Sequence, residues 1–274
     1  MISYAQNFED VILNRAFGGR SKGFYIDVGA WDPVVDSVTK YFYDLGWSGI
    51  NVEPAADAFR ALQAERSRDL NLRVALGDRK ETRDFYDVAN SGLSTFRRDL
   101  LSDLPKFGFD HVVRSVDVTT LEEVCLTHVD GPIDFMKIDV EGWEEAVIRG
   151  GDWQKFRPAV LVIEAVLAYP GAFCSPNNSS FADSEKPAVA QSSFVDSLSK
   201  KGYDLCYFDG LNEFYVSREA QDLRDLISVP PNVFDGFVPF RQIELEQKLS
   251  QAQETVDNLK CRLGIEEADS TSKG

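Results

Sequence analysis

The chain has 274 residues, of which 43% are hydrophobic and 12% aromatic, enough for one large globular domain with an extension. Its formal net charge of -16 argues against a nucleic-acid substrate and against docking on an anionic membrane, because both need clustered lysine and arginine. The four cysteines are far apart and form no CxxC pair, which argues against a zinc site or a disulfide framework and predicts a reduced, cytoplasmic protein.

The N-terminal segment is predicted to be a helix over residues 4–17 that ends at Gly18. Its polar side chains include Gln6 and Asp10, which either cap the helix or belong to a flap that closes over a ligand. The segment has no basic region followed by an apolar run, so we expect neither a signal peptide nor a membrane span.

Residues 24–28 read as a buried first strand that contains Asp27 and is followed by Gly29. In open α/β sheets, ligands bind beyond the carboxyl ends of the strands. The run Gly29-Ala30-Trp31-Asp32-Pro33 has a single glycine and therefore lacks the dinucleotide pattern G-x-G-x-x-G. The acids that flank this glycine favour a cationic ligand, such as a sulfonium.

The next two predicted strands repeat this design. After a weak helix at 36–45, residues 49–52 form a strand followed by Glu53 and Pro54. After a helix at 55–68, residues 72–76 form a strand that ends at Gly77 and Asp78. Acids at the same end of three successive strands are unlike randomly placed surface charges, so we expect them to face one crevice.

An insertion interrupts the alternation of strands and helices between residues 79 and 130. Short strands are predicted at 84–88 and 112–118, with the polar run Ser91-Gly92-Leu93-Ser94-Thr95 between them. Insertions of this kind often shape a substrate site. A helix capped by Thr119 or Thr120 follows.

Two further core strands, at 133–139 and 159–166, contain the polar residues Lys137, Asp139 and Glu164. Between them a helix is predicted to end at Gly150, and Glu141 is interpreted as a charge that stabilises its N-terminus. Because Asp139 and Glu164 end neighbouring strands, both should face the same crevice.

The C-terminal part is predicted to contain a mobile loop, a strand pair and a long helix. The loop covers 170–193, a helix covers 191–201, and the strands cover 203–209 and 213–217. Apolar residues from Leu245 to Leu263 recur at alternating spacings of four and three, which predicts a coiled coil, or alternatively one amphipathic helix packed on its own domain. The predicted organisation is a domain at 1–238, a coiled-coil helix at 239–267 and a disordered tail at 268–274.

Taken together, these motifs resemble the FkbM-type S-adenosylmethionine (SAM)-dependent methyltransferases over residues 2–238. The resemblance rests on residues 3–10, 26–30, 52–54, 91–95, 137–142, 163–165, 208–216 and 230–232. It implies a Rossmann-like class I methyltransferase fold, an α/β fold with a mostly parallel seven-stranded sheet and helices on both faces.

The resemblance also implies an O-methyltransferase that acts on a sugar hydroxyl of a glycan or nucleotide sugar. The alternatives are a polyketide or other small natural product as acceptor, or a non-catalytic scaffold for a glycosyltransferase. The C-terminal helix would then mediate homo-oligomer formation or contact a glycosyltransferase. The expected SAM-binding residues are Gln6, Asp10, Asp27, Gly29, Ala30, Asp32, Glu53, Pro54, Gly77, Asp78 and Asp139.

Methyl transfer to oxygen needs a group that accepts the proton of the acceptor hydroxyl. We predict Asp139 or Glu164 as this base, with the same pair as a candidate Mg²⁺ site because Mg²⁺ prefers oxygen ligands. Lys137 is predicted to pair with one of these acids. His111 is the second choice of base because it lies near the insertion.

Overall fold

The computed structural model describes residues 1–102, 104–165 and 194–263, without the side chains of residues 107 and 261. The strands are β1 (Ile2–Ser3), β2 (Phe24–Val28), β3 (Ser48–Val52), β4 (Leu70–Leu72), β5 (Ala75–Gly77), β6 (Glu81–Val88), β7 (His111–Thr120), β8 (Phe135–Ile138), β9 (Val160–Glu164), β10 (Tyr203–Phe208), β11 (Asn212–Ser217) and β12 (Val238–Pro239). The helices are α1 (Glu9–Phe17), α2 (Lys40–Asp44), α3 (Ala56–Glu65), α4 (Leu121–His128), α5 (Glu144–Arg149), α6 (Val195–Lys200), α7 (Arg224–Ile227) and α8 (Phe240–Leu263). The predicted loop at 170–193 and the predicted tail at 268–274 lie outside the described residues.

The main sheet has seven strands in the order β10-β11-β9-β8-β2-β3-β4. Neighbours from β9 to β4 are parallel, whereas β11 is antiparallel to both β9 and β10. The predicted α/β fold with one large sheet is confirmed, and the sheet is mixed. The chain passes from β2 to β3 on one side and returns later to place β8 on the other side of β2. This reversal is a topological switch point, and ligands bind at such points in α/β sheets.

Helices cover both faces of this sheet, because successive side chains of a strand point to opposite faces. Ile26 and Val28 of β2 lie in an apolar cluster with residues of α4, α5 and α6. Tyr25, on the opposite face, lies in a second cluster with residues of α1, α2 and α7. The polar side chains at the ends of the strands lie outside these two apolar cores and can therefore form a binding site.

The prediction of a single third strand at 72–76 is wrong. The structure divides it into β4, which pairs with β3 in the main sheet, and β5, which pairs with β7 in a separate three-stranded sheet of order β5-β7-β6. Its pairing partner β7 lies about forty residues later in the chain, so local sequence patterns carry no signal for the division. The second sheet places the segment between β6 and β7 beside the carboxyl ends of the main strands.

The long C-terminal helix α8 begins against the N-terminal segment and then leaves the domain surface. Phe240 packs on Tyr4 with ring centroids 5.0 Å apart, and Arg241 pairs with Asp36 at 2.6 Å. The heptad positions further along are exposed, including Leu245 at 66% and Leu249 at 71%. The alternative of a helix packed along its own domain therefore does not fit, and the coiled coil stays a prediction. Within the described ranges, no helix is both long and apolar enough to cross a bilayer.

Candidate functional site

A cavity of about 360 Å³ opens at the carboxyl ends of the central strands. It is lined by the turns after β2, β3 and β8, by the end of β9, and by residues 90–94 of the segment between β6 and β7. The cavity therefore lies where the strand-tip side chains and the inserted segment meet.

The predicted site residues divide into two groups. Those that line the cavity are Gln6, Gly29, Ala30, Glu53, Pro54, Lys137, Asp139 and Glu164. Those outside the described cavity lining are Asp10, Asp27, Asp32, Gly77 and Asp78. His111 is exposed on β7, where its ring contacts Tyr86, and it too is outside the lining.

Three acids of the second group are held in hydrogen bonds or ion pairs. Asp10 accepts hydrogen bonds from the Ser3 hydroxyl at 2.6 Å and the Tyr4 amide at 2.7 Å, so it stabilises the start of α1. Asp32 accepts from the amides of residues 34 and 35, both at 2.8 Å. Asp78 faces Arg149 at 3.5 Å on the protein surface. Among described contacts, these carboxylates serve local structure.

Gly29 makes the turn after β2 with a backbone φ of 81°, which disfavours any residue with a Cβ. A Cβ on Gly29 would lie 1.8 Å from the carbonyl oxygen of Asp139. The missing side chain thus allows the ends of β2 and β8 to approach closely at the base of the cavity.

The Gly29→Ala variant is expected to lose about 3 kcal/mol of unfolding free energy, from backbone strain plus overpacking. Gly19→Ala is the matched control, because Gly19 also has a positive φ of 83° but nothing within 4 Å of its Cβ position. We expect Gly19→Ala to lose about 1 kcal/mol. Urea unfolding measures both, and equal losses would contradict the close approach.

Glu53 closes the turn between β3 and α3 and is only 5% exposed. Its two carboxylate oxygens accept hydrogen bonds from the Trp31 amide at 3.0 Å and the Ala55 amide at 2.7 Å. Burial raises its pKa to about 7 despite these bonds. Glu53 therefore links the turns after β2 and β3. Its carboxylate still offers lone pairs to a ligand in the cavity.

Lys137 is buried between the two strands that flank the switch point. Its ammonium lies 3.1 Å from Asp139, 3.8 Å from Asp27 and 3.3 Å from the carbonyl oxygen of Gly29. Burial alone would lower the Lys137 pKa, but the two carboxylates more than offset it, so the pKa is raised and the side chain is charged. The predicted pairing of Lys137 with an acid is present.

Asp27 lies inside β2 and outside the described cavity lining, and the Thr39 hydroxyl donates to it at 2.9 Å. It is 1% exposed, and its other oxygen has no hydrogen-bond partner among the described residues. Burial raises the Asp27 pKa, whereas Lys137 and Thr39 oppose that shift. Asp27 therefore acts on the cavity through Lys137.

Asp139, Glu141 and Glu164 form an acidic cluster in the cavity, with one carboxylate oxygen of each within 4.8 Å of the others. Burial, followed by the charge of Asp139, raises the pKa of both Glu141 and Glu164 well above the usual range. Glu164 is 6% exposed, and its Oε2 has no hydrogen-bond partner within the described part of the chain. The cluster is suited to accept a proton or to bind a cation.

Sequence reasoning missed Glu141 as a residue of this cavity. The helix-terminal role assigned to Glu141 belongs to Glu144, whose carboxylate accepts from the amides of Val140 and Gly142, both at 3.0 Å. Glu141 has a left-handed φ of 52°, and its carbonyl accepts a 2.7 Å hydrogen bond from the Thr95 hydroxyl. The sequence signal for a site role of Glu141 is its position two residues after Asp139, a predicted site residue.

The buried acids predict that the protein is more stable at mildly acidic pH. Burial raises the pKa of Glu9 and of Glu53 to about 7, above their values in an unfolded chain. The folded protein therefore keeps protons that the unfolded chain loses between about pH 4.5 and 7, and the free energy of unfolding falls as pH rises through that window.

We expect a loss of about 2 kcal/mol per group between pH 5.5 and pH 8, measured by urea unfolding. Glu53→Gln should shrink the pH difference by that amount, because it removes one titrating group. Stability that rises with pH over this range would contradict the assignment.

A mixed α/β sheet with an acidic cavity at its switch point is typical of enzymes that bind small ligands at strand ends. The family described as Methyltransferase FkbM domain matches residues 27–204, more than half of the chain. The chain belongs to the FkbM methyltransferase family, as its motifs predicted.

Two solved structures are similar at low identity. The methyltransferase FkbM from Methylobacillus flagellatus KT is 14% identical with a TM-score of 0.43, and the alignment covers 78% of this chain and 48% of that one. The chain thus spans about half the length of that protein. A cofactor-bound Rv0187 from MTB is 14% identical with a TM-score of 0.38, over 79% of this chain and 82% of that one. No curated protein matches.

Proposed function

We propose that the protein is a SAM-dependent O-methyltransferase that acts on a sugar hydroxyl of a glycan or nucleotide sugar. The observation that carries this proposal is the buried oxygen of Glu164, which faces the cavity beside Asp139 without a hydrogen-bond partner among the described residues. A buried carboxylate with a raised pKa at a strand end is a suitable proton acceptor for a hydroxyl.

The residues of the β2 and β3 turns fit the methyl donor. Gly29 lets the backbone approach closely, and Glu53 lies at the second strand end, where an acid accepts hydrogen bonds from ribose hydroxyls. The acidic cavity complements the positive charge of a sulfonium and an amino group. SAM, when bound, supplies a methyl group that is already activated for transfer.

The contribution of the protein is then alignment and proton removal. Bound SAM would supply the methyl group to the acceptor oxygen, and a carboxylate of this chain would take the hydroxyl proton. Between the two candidates, we assign this role to Glu164, because Lys137 holds Asp139 in an ion pair at 3.1 Å. Asp139 and Lys137 then position the reacting groups.

The inserted segment between β6 and β7 forms a wall of the cavity that supports a sugar as acceptor. Asn90 and Ser94 offer hydrogen-bonding groups, because the Ser94 hydroxyl accepts from the Val88 amide and keeps its proton to donate, and Phe96 offers aromatic surface to the same cavity. Polar groups that fix orientation within an aromatic lining are typical of small-molecule sites. A polyketide or other natural product would rely on the aromatic part of this wall.

Titration calorimetry tests the donor assignment. We expect SAM to bind at micromolar concentration and Glu53→Ala to weaken binding at least tenfold. Incubation with labelled SAM and a panel of glycans, nucleotide sugars and polyketides, read by mass, then separates the acceptor classes. SAM binding without transfer to any of them would favour the non-catalytic scaffold.

Asp139 and Glu164 are also the proposed ligands of Mg²⁺, because both offer hard oxygen atoms at one point of the cavity. Loss of turnover after chelation, with recovery on added Mg²⁺, tests this version. Unchanged turnover leaves the carboxylate base as the complete mechanism.

The exposed heptad face of α8 supports a second proposal, that this helix mediates homo-oligomer formation or contacts a glycosyltransferase. Sedimentation of the chain with and without residues 241–274 tests self-association. A monomer in both cases would leave contact with another protein as the role of the helix.

A further inference from the structure

Glu141 converges with the two proposed metal ligands on one point of the cavity floor. Asp139 and Glu141 follow β8, Glu164 ends β9, and one oxygen of each lies within 4.8 Å of the others. An ion bonded to oxygen at about 2.1–2.5 Å spans ligand oxygens up to about 4–5 Å apart. All three carboxylates can therefore bind a single ion without rearrangement of the strands.

Two independent observations point to a ligand at this cluster. The Oε2 atom of Glu164 is buried and has no hydrogen-bond partner among the described residues, a costly state unless a ligand contacts it. The nearby cation is Lys137, whose described ion pairs are with Asp27 and Asp139. Neither Glu141 nor Glu164 forms a described ion pair, and Lys137 acts on Glu141 only as a neighbouring charge.

The local backbone holds Glu141 in place for this role. Its left-handed φ of 52° turns the chain out of β8, and the Thr95 hydroxyl fixes its carbonyl at 2.7 Å. Glu144 stabilises the same turn from the helix side through the amides of Val140 and Gly142. The Glu141 carboxylate itself is left to line the cavity.

We propose that Asp139, Glu141 and Glu164 together bind one hard divalent cation, with Glu141 as the third ligand, and that the acceptor completes its coordination shell with two adjacent oxygens. A ligand set made only of carboxylates selects Mg²⁺, Mn²⁺ or Ca²⁺. Three protein ligands leave open positions, which a vicinal diol of a sugar fits. The acceptor class rests on the proposed function, whereas the cation site rests on geometry alone.

The test is direct binding of Mn²⁺ to the full chain, freed of metal by chelation and without SAM or acceptor, followed by electron paramagnetic resonance. We expect one Mn²⁺ per chain, displaced by excess Mg²⁺ or Ca²⁺, and at least tenfold weaker binding in Glu141→Gln. Glu145→Gln is the matched control, because it removes the same charge from an exposed residue of α5 outside the described cavity lining. It should bind Mn²⁺ within twofold of the parent.

Failure of Mn²⁺ to bind, or equal binding by the parent and Glu141→Gln, overturns the cation site. If circular dichroism shows that Glu141→Gln melts at a lower temperature than the parent, Glu141→Asp is tested instead. Aspartate keeps the charge, but its shorter side chain moves the carboxylate oxygen away from the ion. Glu141→Asp should therefore also weaken Mn²⁺ binding. Methyl transfer in the absence of Mn²⁺ binding would remove the cation and keep the proposed function. A vicinal diol that alters the Mn²⁺ spectrum, where its monodeoxy analogue does not, supports the acceptor class, and identical spectra overturn it.

Discussion

Glu164→Gln is expected to lower the rate of methyl transfer by about 10²–10⁴-fold, the range attributed to a positioned general base. The amide keeps the shape of the side chain, but it cannot take the proton of the acceptor hydroxyl. SAM affinity should change by less than threefold, because the proposed donor contacts come from the β2 and β3 turns. Initial rates with labelled SAM, together with calorimetry, measure the two effects separately.

The pH profile distinguishes a base from a structural carboxylate. Burial and the neighbouring acids raise the pKa of Glu164, so the rate of the parent protein should rise as pH increases through that pKa and then level. Glu164→Asp keeps an ionisable group and should retain the rising limb at a reduced rate. Parental rates in Glu164→Gln would transfer the role to Asp139, for which Asp139→Asn is the corresponding variant.

The strand-tip pattern predicted much of the cavity, because residues that directly follow parallel strands meet at one edge of a sheet. Glu53 follows β3, Asp139 follows β8 and Glu164 ends β9, and all three line the cavity. Asp27 matches the same pattern but lies one residue before the end of β2. It pairs with Asn51 and Lys137 in the sheet, two positions before the level of Glu53 and Asp139, so its carboxylate lies deeper and contacts Thr39 instead of lining the cavity.

The sequence pattern could not predict features that depend on strands or side chains far apart in the chain. The division between β4 and β5 depends on β7, which lies about forty residues later. The sequence predicts the polar run at 91–95 as part of an insertion, but its place in the cavity lining depends on the second sheet. The left-handed backbone that directs Glu141 into the cavity depends in part on a hydroxyl from that insertion. Local propensity describes none of these contacts.

Lys137→Met is expected to lower the free energy of unfolding by about 4 kcal/mol at pH 8, because removing one partner of a buried ion pair leaves the other charge uncompensated. Methionine fills similar space without the ammonium, so the result reports charge rather than a cavity. Asp27 and Asp139 would then face each other's charge, with Asp27 1% exposed. Urea unfolding of the parent and the variant measures the loss.

The loss should depend on pH and on Asp27. Without Lys137, the folded protein can relieve the charge by protonating Asp27, whose pKa is already raised by burial, so the loss should be smaller at pH 5.5 than at pH 8. Asp27→Asn combined with Lys137→Met should recover part of the stability, because the uncompensated buried charge is gone. Lys80→Met is a matched control, since its ion pair with Glu123 lies on the surface, and we expect a loss of about 0.5 kcal/mol. Equal losses in the two lysine variants would mean that Lys137 does not hold the ends of β2 and β8 together by charge.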